Sequence, residues 1–240
     1  MARVRVRQHV NPLANKYATP IDPPDWSAIF ANLQSPLHLD IGCGWGDFLL
    51  RMAASESGWN FLGLEIRQPL VDTANQHKQL AGLTNLCYLF CNANNSLAPI
   101  LQSLPGSCLA RVSIQFPDPW FKNRHFKRRV VQPEVVELLA QYLQPGGLVF
   151  LQSDVEVMEQ EMFDRFQAHP AFSYQFPEVI PEVTRYDLEL NPEAKLEITP
   201  ESKLRQLWLQ TPNPFPVATE RETSTLSRGE PVYRAIFKRL

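Results

Sequence analysis

Between residues 37 and 167, short apolar runs alternate with stretches whose apolar residues recur at helical spacing, and few folds accept that alternation. Leu37–Ile41, Asn60–Glu65, Leu86–Cys91, Leu109–Phe116 and Leu148–Ser153 read as strands. Trp45–Ser55, Pro69–Leu80, Ser96–Leu104, Pro133–Tyr142 and Val155–Gln167 read as helices. Strands alternating with helices build βαβ units, which implies an α/β fold with a doubly wound, mostly parallel sheet. Pro133 suits a first helical turn, and Gly146-Gly147 suits the turn into the next strand. Pro231–Lys238 reads as a last strand.

The flanks are less regular. Residues 1–35 carry Pro12, Pro20, Pro23 and Pro24 and read as a basic arm with a short helix, capped by Asp25 or Ser27. Residues 36–240 form the main domain. Within it, residues 177–218 hold repeated prolines and scattered charges and read as an irregular, insertion-like segment, with one helical turn near Lys203–Leu207.

No apolar run reaches membrane-spanning length, and Met1–Arg7 lacks the apolar stretch of a secretory signal, so a cytoplasmic protein is expected. Cys43, Cys87, Cys91 and Cys108 form no CxxC pair and have no His at ligand spacing; buried free thiols and no metal are expected. The formal net charge is -2. That weighs against a globally basic nucleic-acid binder. The charge is uneven, however. Arg3, Arg5 and Arg7, the 122–129 tract and the C-terminal residues Arg221, Arg228, Arg234, Lys238 and Arg239 are local basic patches, and local patches govern phosphate contact.

Asp40-Ile-Gly-Cys-Gly-Trp-Gly46 follows the first strand and opens a helix. Its GxGxG spacing departs from the dinucleotide GxGxxG, since position 47 is Asp, and it carries no phosphate-loop lysine. Glu65 ends the second strand, where a carboxylate accepts bonds from ribose hydroxyls and repels a phosphorylated ribose. A nucleoside-type cofactor without phosphates fits these residues. Asn92 ends the third strand; its amide suits either an adenine edge or a local turn.

Phe116-Pro-Asp-Pro-Trp-Phe-Lys-Asn-Arg-His-Phe-Lys-Arg-Arg129 closes the fourth strand. A Pro-flanked carboxylate, Asp118, precedes an aromatic pair, Trp120 and Phe121. Lys122, Arg124, Lys127, Arg128 and Arg129 follow as phosphate-neutralising groups. A plain solvated basic loop has the same composition.

The glycine loop and Phe-Leu-Gly-Leu-Glu65 resemble the first two motifs of class I S-adenosylmethionine-dependent methyltransferases. The segment Gln115–Arg129 resembles the signature of the bacterial tRNA (guanine-N7)-methyltransferase family. Gln-Ser-Asp154 and Thr219-Glu-Arg-Glu222, followed by Pro-Val-Tyr-Arg234, resemble that family's substrate motifs. The likeness covers about residues 36–166 and 212–240. It implies a seven-stranded Rossmann-like sheet, S-adenosylmethionine as cofactor and tRNA as partner, with neither metal nor membrane, and methylation of a variable-loop guanosine at tRNA position 46. It places Asp40, Gly42, Gly44, Gly46, Glu65, Asn92 and Asp118 at the cofactor. It places Lys122, Arg124, Lys127, Arg128, Asp154, Thr219, Glu220, Arg221 and Glu222 at the substrate. Asp40 stands where the family often has Glu, and Asn92 where it often has Asp.

Guanine N7 already carries an in-plane lone pair, so no base need deprotonate it. Catalysis is then mainly positioning and charge placement. A carboxylate accepting from guanine N1–H and the N2 amine strengthens as the ring becomes cationic, which favours the transition state. Asp118 is the first candidate for this catalytic role and Asp154 the second, and Asp118 also fits a cofactor contact. Two readings compete: a class I methyltransferase with another RNA or small-molecule substrate, and an RNA-binding protein with a vestigial cofactor pocket. The sequence leaves oligomeric state and tRNA preference open.

Overall fold

In a computed structural model, which describes residues 10–106, 108–176 and 200–240, the expected alternation folds into a three-layer sandwich. The strands are β1 (Leu37–Ile41), β2 (Asn60–Glu65), β3 (Leu86–Phe90), β4 (Leu109–Gln115), β5 (Leu148–Ser153), β6 (Phe172–Tyr174) and β7 (Tyr233–Arg239). The helices are α1 (Asp47–Ser55), α2 (Gln68–Leu80), α3 (Ala93–Ser103), α4 (Pro133–Tyr142), α5 (Glu156–Gln167), α6 (Pro200–Gln210) and α7 (Glu220–Ser227). Among the described residues the sheet has seven strands, in the order β3-β2-β1-β4-β5-β7-β6. The pairs β1–β2, β2–β3, β1–β4 and β4–β5 are parallel, and β7 runs antiparallel to β5 and β6.

Every residue of β1 and β2 is buried, because helices cover both faces. On one side Phe48, Leu49 and Met52 of α1 and Val71 and Ala74 of α2 pack against Phe61, Leu86 and Tyr88. On the other, α3, α4 and α5 bring Leu97, Leu139 and Phe163 onto Leu39, Val112 and Leu151. Cys43, Cys87 and Cys91 lie buried in these layers as free thiols, and Cys108 is half-buried.

The chain winds outward from β1 to β3, then crosses back to β4. The strand order therefore switches between β1 and β4, and the carboxyl ends of strands at such a switch border a crevice. Asp40, Glu65 and Asp118 all sit at this end. Residues 10–35 close over α3: Asn95 Nδ2 donates to Tyr17 O and Ala18 O, and Trp26 Nε1 donates to Ser103 Oγ at 2.9 Å. Asp25, not Ser27, caps the short 3-10 turn Trp26–Ala28.

Three elements differ from the sequence reading. β6 is a three-residue edge strand, too short to show periodicity. α6 replaces the single turn expected near Lys203–Leu207; Pro200 begins it, and Trp208 buries against Phe163 at a centroid distance of 5.3 Å. α7 has few apolar residues, so its spacing carries no helix signal. Its start is nonetheless written in the sequence as a capping box, with Thr219 accepting from Glu222 N and the Glu222 side chain reaching back. The basic residues Arg3, Arg5 and Arg7, and positions 177–199 of the irregular segment, lie outside the described residues.

Candidate active site

Two adjoining cavities open at the switch point. The smaller, about 120 Å³, lies beside Glu65, Asn92 and Trp120. The larger, about 900 Å³, lies between the glycine loop, Asp154 and the start of α7. Gly42, Arg67, Phe116, Pro117 and Asp118 line both.

The glycine loop sets the floor. Gly42 and Gly44 have φ of +89° and +57°, and a Cβ added to either would meet no atom within 4 Å. The positive φ demands glycine, and the empty space is a cradle that a side chain would fill. Gly46 serves differently. A Cβ there would lie 2.7 Å from Ala74 and Tyr88, and its carbonyl accepts from Tyr88 Oη at 2.6 Å. Gly46 is required by packing and by its φ of +80°, and it lines the large cleft with Gly42 and Gly44.

Glu65 is buried with its carboxylate at the cavity wall. Gly44 N donates to it at 3.0 Å, Arg67 N at 2.9 Å, and the Arg67 guanidinium at 2.8 and 3.0 Å. Burial opposes the charge on Arg67, but the Glu65 bonds and the nearby charges of Glu65 and Asp118 outweigh it and raise its pKa. Arg67 thus holds the second-strand carboxylate, and with Phe116, Pro117 and Asp118 it lines both cavities.

Asp40 is 4% exposed at the end of β1. Ser113 Oγ donates to its Oδ1 at 2.6 Å, and Gln115 Nε2 reaches the same oxygen at 3.5 Å. Ser113 in turn accepts from His38 Nε2 at 2.9 Å. Burial, seconded by Arg111, pushes His38 down to about 3, so the imidazole is neutral. Burial raises Asp40 to about 6 against the pull of its two hydrogen bonds, with Glu65 adding like-charge repulsion.

Asn92 takes the turn alternative rather than the adenine edge. Its Oδ1 accepts from Asn94 N at 3.2 Å, capping α3, and its Nδ2 donates to Pro12 O at 3.1 Å. It lines the small cavity while its amide secures the arm.

The Asp118 loop is stiff. Phe116 and Trp120 have φ of +49° and +40°, a region in which non-glycine residues are strained by roughly 1–3 kcal/mol each. Pro117 and Pro119 remove two more degrees of freedom around Asp118. The basic tract divides beyond this loop. Lys122, Arg124 and Lys127 are exposed on or beside the 3-10 turn Asn123–Arg128, outside both cavities. Arg128 lies over the Trp120 ring at 4.8 Å and lines the small cavity. Arg129 is set apart from the exposed cations: it is buried, ion-paired with Glu161, and donates to Trp120 O at 3.2 Å.

Asp154, Thr219, Glu220 and Arg221 line the large cleft together, and Arg221 grips Asp154 with both nitrogens at 2.8–3.1 Å. Glu222 departs from the expected substrate role. It is 3% exposed and accepts from Arg234 Nη2 at 2.8 Å, Asn213 Nδ2 at 2.8 Å and Gln152 Nε2 at 3.3 Å. Gln152 also donates to Gln115 Oε1 at 3.1 Å and accepts from Arg234 Nε at 2.8 Å. A buried polar chain therefore runs from Asp40 through Gln115 and Gln152 to Glu222, crossing the sheet beneath the cleft. The sequence reading missed Gln115, Gln152 and Arg67. A glutamine near the end of each of two buried apolar strands was the available signal.

The sheet order, the open glycine cradle and the strand-end carboxylates define a class I methyltransferase fold. Residues 34–235 match a family model described as "Putative methyltransferase". A tRNA (guanine-N(7)-)-methyltransferase of Trichormus variabilis is 56% identical over 99% of this chain and 97% of its own length. One of Nostoc sp. is 57% identical over 98% of this chain and 94% of its own, and one of Synechococcus elongatus is 50% identical over 100% and 98%. The chain belongs to the tRNA (guanine-N(7)-)-methyltransferase family.

Proposed function

We propose that the chain transfers a methyl group from S-adenosylmethionine to N7 of a tRNA guanosine, at variable-loop position 46, in the cytoplasm. The observation carrying this reading is that Asp118 stands on a rigid loop in the wall shared by a small cavity and a large open cleft. One cavity suits a nucleoside and the other a nucleotide of a larger chain.

The residues present fit the cofactor. Gly42 and Gly44 leave the cradle, Glu65 stands at the cavity wall, where ribose hydroxyls would replace its Arg67 guanidinium bonds, and Asp40 offers a carboxylate beside the loop. When bound, this group supplies an electrophilic methyl carbon on a sulfonium. The protein's part is placement. Asp118 accepts from the guanine N1–H edge and gains strength as N7 methylation makes the ring cationic, with Asp154 as second carboxylate. Thr219, Glu220 and Arg221, held by α7, face the nucleotide from across the cleft, while Lys122, Arg124 and Lys127 grip the backbone outside it.

The test is incubation of the purified protein with labelled methyl donor and tRNA transcripts, followed by nucleoside digestion. Label in 7-methylguanosine is expected, lost in a transcript carrying adenosine at position 46. Label in another nucleoside, or none, would overturn the reading.

A further inference from the structure

The Asp118 loop carries three aromatic rings, and the two strained residues send them to different surroundings. Trp120 lines the smaller cavity, with Arg128 over its face and His125 at its edge, 5.5 Å between centroids. The Phe116 ring has the Arg221 guanidinium 5.6 Å from its centroid. Phe121 is different. It is 70% exposed and lines the large cleft beside Asp118, Asp154 and Arg221.

Single exposed apolar residues are common and need no explanation by themselves. Position separates two of them from the rest, and Phe121 is the more exposed of the two, 70% against 37% for Trp45. Of the exposed large apolar side chains among the described residues, only Phe121 and Trp45 line this cleft. The same cleft holds Asp118 and Asp154, carboxylates that can accept from a purine's polar edge, and Arg221 and Arg228, each ion-paired with a neighbouring carboxylate. Splayed-out RNA bases are held in this way, with a face on an aromatic ring and an edge on hydrogen-bonding groups.

We propose that Phe121 is the stacking face for the target guanine. The inference rests on the methyl-transfer reading above and adds to it the residue that holds the base plane. N7 offers its lone pair in the plane of the ring, so a phenyl on one face leaves the reacting edge open. Asp118 reads that plane from its edge, and Phe121 fixes its tilt. As N7 takes up the methyl group the purine gains positive charge, and a cation is drawn to an aromatic face. The stacking contact therefore strengthens along the reaction, and Phe121 contributes to turnover as well as to binding.

The test compares Phe121→Ala, Phe121→Leu and Phe121→Trp; the site is exposed, so all three are expected to fold. Two measurements are made on each: kcat/KM for tRNA at saturating donor, and the affinity advantage of tRNA carrying guanosine at the target position over tRNA with an abasic site there. Ala and Leu are expected to lower both by about five- to 100-fold, the worth of one base stack. Trp is expected to stay within about threefold of the parent, and donor affinity should hold in all. Ala equal to the parent, or Leu equal to Trp, would overturn the proposal, the latter because it would show apolar packing without stacking. The affinity measurement needs no catalysis. A parent that keeps the guanosine advantage yet makes no 7-methylguanosine would sink the methyl-transfer reading alone. A parent that methylates while Ala keeps the advantage would sink the stacking assignment alone. A parent without the advantage would sink the stacking assignment whatever it methylates.

Discussion

Asp40 carries a carboxyl where burial disfavours its charge. Its carboxyl titrates at about 6 rather than 3.8 because burial outweighs the bonds from Ser113 and Gln115. A raised acid keeps its proton more tightly in the folded state, so its stabilising contribution is complete below pH 3.8 and is lost as pH rises through about 6. Above that, the ionised group costs on the order of 3 kcal/mol. A cationic ligand arriving beside it recovers part of that cost. S-adenosylmethionine, with its sulfonium and ammonium, should therefore bind more weakly as pH falls from 7.5 to 5, approaching a tenfold loss per unit below about 6. Asp40→Asn should bind more weakly at pH 7.5 and show no such pH dependence. Calorimetry giving one affinity across that range in the parent would refute the assignment of Asp40 to the cofactor. That Asp40 and Glu65 line the cavities is legible in the sequence, because they stand at strand ends beside a glycine loop. The direction of the shift is not, since it depends on Ser113 and Gln115 of a strand far off in sequence.

The elements meet through buried side chains rather than through the loops that carry the motifs. Gln152 joins β4, β5, β7 and the start of α7 by bonding Gln115, Arg234 and Glu222. Replacing it with methionine keeps the bulk, orphans an acceptor on Gln115 and a donor on Arg234, and removes one of the bonds that Glu222 accepts. The expected loss is about 2–3 kcal/mol in urea unfolding, since each unsatisfied buried group costs roughly 1–3 kcal/mol. KM for tRNA should rise with little change in donor affinity, because the turn at Thr219 is what loosens. A Gln152→Met protein as stable as the parent would mean that the chain of amides contributes nothing. Strands and helices from β1 to α5 were readable to within a few residues because each covers a face with a regular period. β6 and α6 were not: one is an edge strand of three residues, and the other is held by Trp208 burying against Phe163, a tertiary contact that no local pattern records. The capping box of α7 is legible in Thr219-x-x-Glu222, and the same four residues carry the resemblance to a substrate motif.

At the scale of the molecule, a chain with net charge -2 must attract a polyanion through local fields. The structure narrows which cations are available. Arg129 is consumed by Glu161, and Arg128 lies against Trp120 in the cofactor-side cavity. Arg67 is tied to Glu65, and Arg234 is buried with Glu222. Such pairings are invisible in the sequence, where the 122–129 tract looks like one uniform patch. Arg124 and Lys127 remain exposed beside the cleft. Arg3, Arg5 and Arg7 precede Val10, which lines the small cavity. The double variant Arg124→Ala/Lys127→Ala should therefore weaken all tRNAs alike. It should also reduce the slope of log affinity against log salt by about 2, since each cation neutralises one phosphate. Removal of residues 1–7 should reduce the slope again while leaving donor affinity intact, since Pro12 and Tyr17, which anchor the arm on Asn92 and Asn95, are retained. Affinity measured between about 50 and 200 mM salt decides it. A double variant with the parent's slope would show that these exposed cations face solvent only and that the tRNA backbone crosses another surface.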